Sequence, residues 1–161
     1  MTDISLVWKK RVARIVGLPP VKWLMTVAIR LVVARHRIGV GVVILDGNGR
    51  VLLLQHVFHP DIPWGIPGGW LSRHEDPAEG ALRELREETG LTAVIVKPLI
   101  VKHDTRPNHI EIIYLAHLQS GTLQLSAEIS AANWCPADDL PPLFPSAKAA
   151  IETAVAYQDR H

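Results

Sequence analysis

A chain of 161 residues and 17.8 kDa, 48% hydrophobic and 20% charged, has the size and composition of one folded domain and not those of a disordered chain. Its single cysteine, Cys135, excludes an intramolecular disulfide and reads as a small buried side chain in a reducing compartment. The net charge of +1 conceals an imbalance: residues 1–37 carry eight basic residues against Asp3 alone, whereas residues 38–161 carry nine basic against fifteen acidic.

Residues 1–37 read as two helices broken at residues 17–20, where Gly17, Pro19 and Pro20 fall. The second helix is predicted to start near Val21, with Lys22, Thr26 and Arg30 as a narrow polar stripe on an otherwise apolar surface. Its longest uncharged stretch, residues 23–29, is far shorter than the roughly 20 residues that cross a bilayer. A clean apolar run with a small-residue cleavage site is also missing, so the chain reads as cytoplasmic. So apolar a helix needs a second surface, and the expectation is burial on the domain or in a homodimer. Peripheral membrane contact through the basic residues of 1–37 is the alternative.

Strand patterns begin at residue 38. Residues 39–45 and 51–57 are aliphatic runs joined by Asp46-Gly47-Asn48-Gly49-Arg50, which reads as a hairpin turn. Residues 59–69 hold three prolines and three glycines and are predicted to be irregular. Residues 76–89 form a helix with legible ends: Asp76 as N-cap, Pro77 at the first helical position, Glu79 completing a capping box, and Gly90 just past the C-terminus. Strands follow at 92–96, 99–103, 110–118 and around 133–135. Ser146 is expected to cap a closing helix that runs to Tyr157, with Ala147, Ala150, Ile151 and Ala154 on one face. Strands mixed with helices predict an α/β sandwich on a mixed sheet over residues 38–161, preceded by the helical extension 1–37.

On a helical wheel of residues 76–89, Ala78, Ala81, Leu82 and Leu85 make a core-facing stripe. Glu84, Glu87 and Glu88, at spacings of three and four, project from another face. Like charges at these spacings repel, and carboxylates in a last turn sit at the negative end of the helix dipole. A divalent cation with a preference for oxygen ligands relieves both penalties. Local rules broken in this way tend to mark functional sites.

From Gly69 to Leu91 the chain reads Gly69-x5-Glu75-x7-Arg83-Glu84-Leu85-x-Glu87-Glu88-x-Gly90-Leu91. This resembles the Nudix box at every defining position, and the flanking strands extend the resemblance over about residues 38–157. It implies a Nudix-like α/β/α sandwich and a hydrolase that cleaves a phosphoanhydride bond in a nucleoside diphosphate linked to a second group, by attack of water at phosphorus. It further implies Mg²⁺, with Mn²⁺ as an alternative, held by Glu84, Glu87, Glu88 and the backbone carbonyl of Gly69. Glu75 and Arg83 resemble the structural ion pair of the box, with Arg83 expected off the metal face. The proton acceptor varies within this family, and Glu84 and Glu128 are both candidates.

For the substrate, Arg50, Arg73, Lys102 and Arg106 are available to phosphates, and Trp70, Trp64, Phe58 and Tyr114 to a base. Trp64 and Tyr114 suit the core equally. His56, His59, His103 and His109 flank the expected cleft without zinc-motif spacing. Pro107 stands near where ADP-ribose-cleaving members of the family carry a proline. Two other classes deserve weighing. A nucleotide-sensing module without turnover is disfavoured by the presence of all three glutamates. An RNA 5′-end pyrophosphohydrolase draws support from the basic N-terminal segment alone, so a nucleic-acid partner is not expected.

Overall fold

The computed structural model describes residues 3–33, 36–105 and 108–160. The chain divides into two units, Met1–Arg35 and His36–His161. The first holds α1 (Asp3–Val16) and α2 (Pro19–Val32), separated by a turn at Gly17 and Leu18. Two prolines open α2, where missing amide donors cost nothing. Among the described residues no single helix is long and apolar enough to cross a membrane.

The second unit begins with two aliphatic strands, β1 (Arg37–Ile44) and β2 (Arg50–His56). Both are buried on both faces over most of their length, and the period-2 geometry of a strand divides their side chains between two cores. Val40, Val42, Ile44, Leu52 and Leu54 enter one core, where α3 (Pro77–Thr89) contributes Ala81 and Leu85. Val43, Val51 and Leu53 enter the other, where α4 (Pro145–Gln158) contributes Ala150, Ile151 and Ala154. The unit is thus an α/β/α sandwich, as expected.

Its middle layer consists of two sheets. The first has the order β4-β1-β6-β5, with β5 (Thr92–Thr105) at one edge, and is mixed: β1 runs parallel to β6 (Asn108–Ser120) and antiparallel to β4 (Gly68–Trp70). The second, β3-β2-β7, is antiparallel and contains β3 (Trp64–Gly65) and β7 (Ile129–Pro136).

Four expectations require correction. The turn at residues 46–50 does form, with the Asp46 carboxylate accepting from the amides of Asn48 and Arg50. It does not close a hairpin, because β1 and β2 lie in different sheets and share only the bridge between Leu45 and Val51. Residues 59–69 are not wholly irregular, since β3 and β4 form within that stretch by pairing with β2 and β1. The two strands expected at 92–96 and 99–103 are one, β5 (Thr92–Thr105), which follows β6 through irregularities around Lys97 and Pro98. A proline is tolerated there because β5 lies at the sheet edge. Finally, Ser146 does not cap α4: Phe144 stands at the N-cap, Pro145 opens the helix, and Ser146 is buried within it.

The β1–β4 pairing depends on one close approach. A Cβ on Gly68 would fall 2.4 Å from the Val40 carbonyl oxygen and 2.8 Å from the Gly41 Cα, both backbone atoms that cannot yield without parting the strands. Gly68→Ala is therefore expected to destabilise the protein by about 1–3 kcal/mol, a fall in Tm of several degrees. Gly47→Ala, where nothing lies within 4 Å, should leave the Tm within about a degree. Equal melting temperatures for the two variants in thermal unfolding would show that the approach is not required.

Candidate active site

α3 is fixed at both ends by local chemistry. The Asp76 carboxylate accepts from the amides of Ala78 and Glu79, and Gly90 closes the helix in the left-handed region with its amide on the Arg86 carbonyl. Ala81 and Leu85 are fully buried, and their burial sets the rotation of the helix. Glu84 and Glu88 are thereby turned toward β4. A Cβ on Gly69 would fall 2.5 Å from the Glu84 carboxyl carbon, so only a glycine leaves room for that carboxylate. Glu88 is 8% exposed, and its Oε2 accepts from the Gly68 amide at 2.9 Å.

Two further groups join, one from the end of β2 and one from the turn before β7. His56, at the end of β2, places Nδ1 3.8 Å from Glu88 Oε1. Glu128 is anchored through its backbone, whose carbonyl accepts from the Val57 amide, and its charge acts on both Glu88 and His56. Burial above all pushes the Glu88 carboxyl up to about 8, against the pull of the Gly68 amide; the charges of Glu84, Glu128 and Glu87 add to the rise. Burial, and then His59, lowers the His56 imidazole, which favours its neutral form.

Arg83 is the counter-charge. Its Nε lies 2.7 Å from Glu75 Oε1 and its Nη2 3.0 Å from Glu75 Oε2, a bidentate pair. Nη2 also reaches the Trp70 carbonyl at 3.2 Å, while Nη1 donates to Glu84 at 2.8 Å and to Glu87 at 3.1 Å. The expected pair with Glu75 is present, but Arg83 does not lie off the carboxylate face. One guanidinium holds the loop before the helix and two of the box glutamates together.

The donor set suits a hard dication: carboxylate oxygens gathered around backbone at Gly68 and Gly69, with more negative charge than one arginine offsets. Among the described residues another group, Asp104, His109 and Glu111 on the β5–β6 pair, brings its donor atoms within 4.8 Å of one another. Asp104 already holds the Lys102 ammonium at 2.9 Å.

The remaining candidates separate clearly. Arg50 is occupied at the β1–β2 turn, 2.7 Å from Asp46 Oδ2. Trp64 and Tyr114 pack against the two cores. Arg106 and Pro107 lie outside the described residues. Trp70 and Arg73 line a cleft of about 440 Å³ together with His36, Arg37, Leu71 and Ser72. Trp70 is 48% exposed, with Arg37 5.9 Å from its ring centroid and His109 edge-on at 5.5 Å. Sequence spacing missed Arg37 and the Gly68 amide, because register across β1 and β4 is what places them.

Comparison with known proteins supplies the remaining observations. The model of the NUDIX domain family matches residues 35–156. Nudix hydrolase 5 of Arabidopsis thaliana is 30% identical over 115 residues, which cover 66% of this chain and 38% of that protein. The chain thus spans well under half the length of the curated relatives it first matches. Among solved structures, an ADP-ribose pyrophosphatase from Streptococcus suis superposes with a TM-score of 0.64 at 23% identity, covering 79% of this chain and 93% of that one. The NUDIX domain of Shewanella oneidensis NrtR, solved in complex with ADP-ribose, superposes at 0.65 and 25% identity, covering 78% and 90%.

The Arg83 hub carries a stability prediction. Its hydrogen bonds foremost, and then the Ser72 amide, hold the Glu75 carboxyl down at about 2. A carboxylate depressed in the folded state stabilises the fold above its ordinary value of 4.5 and loses that contribution as the pH falls toward about 2. Glu75→Gln is expected to lower the Tm at neutral pH, with the gap from the unsubstituted protein closing through that acid range. A gap that is constant with pH would assign the loss to packing instead.

Proposed function

Because this chain belongs to the Nudix family, we propose that it hydrolyses a phosphoanhydride bond in a nucleoside diphosphate joined to a second group. The observation that carries this reading is the gathering of Glu84 and Glu88 at the Gly68–Gly69 backbone, with Glu87 beside them on Arg83 and the charge of Glu128 acting on Glu88. Glu84, Glu87, Glu88 and the Gly69 carbonyl would hold Mg²⁺, or Mn²⁺ in its place. When bound, such an ion neutralises phosphate charge and acidifies a coordinated water. Arg83 holds Glu84 and Glu87 in place and takes no proton. Glu128, exposed and held among the described residues through its backbone at Val57, is the better-placed proton acceptor; Glu84 is already engaged by Arg83 and pressed against Gly69.

The cleft beside β4 gives the second group or the base its place. Trp70 offers a half-exposed indole for stacking, and Arg37 and Arg73 offer cations to an outer phosphate. ADP-ribose, the ligand in one of the structural neighbours and part of the name of another, is the first compound to assay.

Glu88→Gln and Glu87→Gln are expected to lower kcat by at least about a hundredfold with the fold retained. Hydrolysis in ¹⁸O-labelled water should place the label on a phosphate product. Near-normal turnover in both variants, or label on a sugar carbon, would refute the mechanism. Saturable nucleotide binding without turnover under Mg²⁺ and Mn²⁺ would favour a sensing module. Trp70→Ala should raise KM about tenfold while kcat changes by less than about threefold, as expected of a contact made equally in ground and transition states.

A further inference from the structure

Every residue of the site above lies in the second unit, and the first has a chemistry of its own. On α1, Trp8, Val12, Ile15 and Val16 follow one another at helical spacing on one side, and all four are exposed, Trp8 by 67%. Lys9 and Arg11 flank that stripe, Lys10 and Arg14 stand on the far side, and all four are exposed. After the bend, which turns the chain by 79°, α2 exposes Trp23 by 69%, Leu24 by 61% and Ile29 by 56%. Its polar edge is narrow, and Thr26 on that edge turns its hydroxyl back onto the Lys22 carbonyl. Within the first unit these side chains are left exposed. Exposed apolar surface of this extent marks an interaction site.

Charge decides what covers it. The first 35 residues hold seven basic residues and one acid, Asp3. Pairing these same helices from two copies would set like charge against like charge, with Asp3 as the one acid in each set. An anionic lipid surface answers it directly: lysine and arginine heads reach the phosphates, their stems and the aliphatic residues enter the acyl boundary, and tryptophan favours that depth. We propose that α1 and α2 form an anchor that docks this protein on anionic phospholipid bilayers.

The test uses the full chain with two vesicle types, phosphatidylcholine alone and phosphatidylcholine mixed with phosphatidylglycerol. Flotation with the mixed vesicles only is expected, with a blue shift in tryptophan emission and release at raised salt. Combined Lys9→Glu, Lys10→Glu and Arg11→Glu should weaken partitioning by at least about a hundredfold, at roughly fivefold or more per charge. Trp8→Ser with Trp23→Ser should also release the protein, and unchanged circular dichroism and Tm in both variants would confirm that the fold is intact. Three results would overturn the proposal: no flotation with either vesicle, flotation unaffected by either variant, or a dimer in light scattering that dissociates when Trp8 and Trp23 are replaced.

Discussion

The site rests on how closely β4 runs beside both β1 and α3. Without side chains at Gly68 and Gly69, the backbone approaches the Val40 carbonyl on one side and the Glu84 carboxylate on the other. That approach lets the Gly68 amide reach Glu88, the most deeply buried of the box glutamates. It also brings the Trp70 carbonyl within reach of Arg83. A side chain at either glycine would have to move backbone or displace a carboxylate, so the two positions join sheet pairing to the placement of the chemistry.

Arg83 balances this crowding electrostatically. One planar guanidinium meets Glu75 through two parallel bonds and still has donors for Glu84, Glu87 and a carbonyl, which a lysine ammonium cannot match in geometry. The arginine offsets part of the negative charge on α3 and leaves Glu88 and Glu128 facing each other's fields without it. The same helix thus carries a locked half, which sets position, and a half with unbalanced charge suited to a cation.

What was legible in the sequence was local. The ends of α3 follow from Asp76, Pro77 and Gly90 because capping involves neighbours in the chain, and the shared direction of Glu84 and Glu88 follows from helical spacing. The turn at residues 46–50 was legible for the same reason, since Asp46 satisfies its amides from within five residues. That β1 then pairs with β6, about seventy residues further on, instead of with β2 is a long-range outcome without a local signal. The same limit hid β3 and β4, too short to show a pattern, and the position of Glu128, which arrives through the pairing of Val57 with its carbonyl. Ser146 misled because a serine before an apolar run signals a cap, whereas Pro145 moves the helix start upstream and leaves that serine inside.

The central claim is that α3 and the Gly68–Gly69 backbone hold the catalytic dication. The most direct measurement is the anomalous difference density of crystals soaked in Mn²⁺. A peak is expected about 2.0–2.2 Å from carboxylate oxygens of Glu84 or Glu88. A peak confined to Asp104, His109 and Glu111, or none near α3 at saturating Mn²⁺, would contradict it.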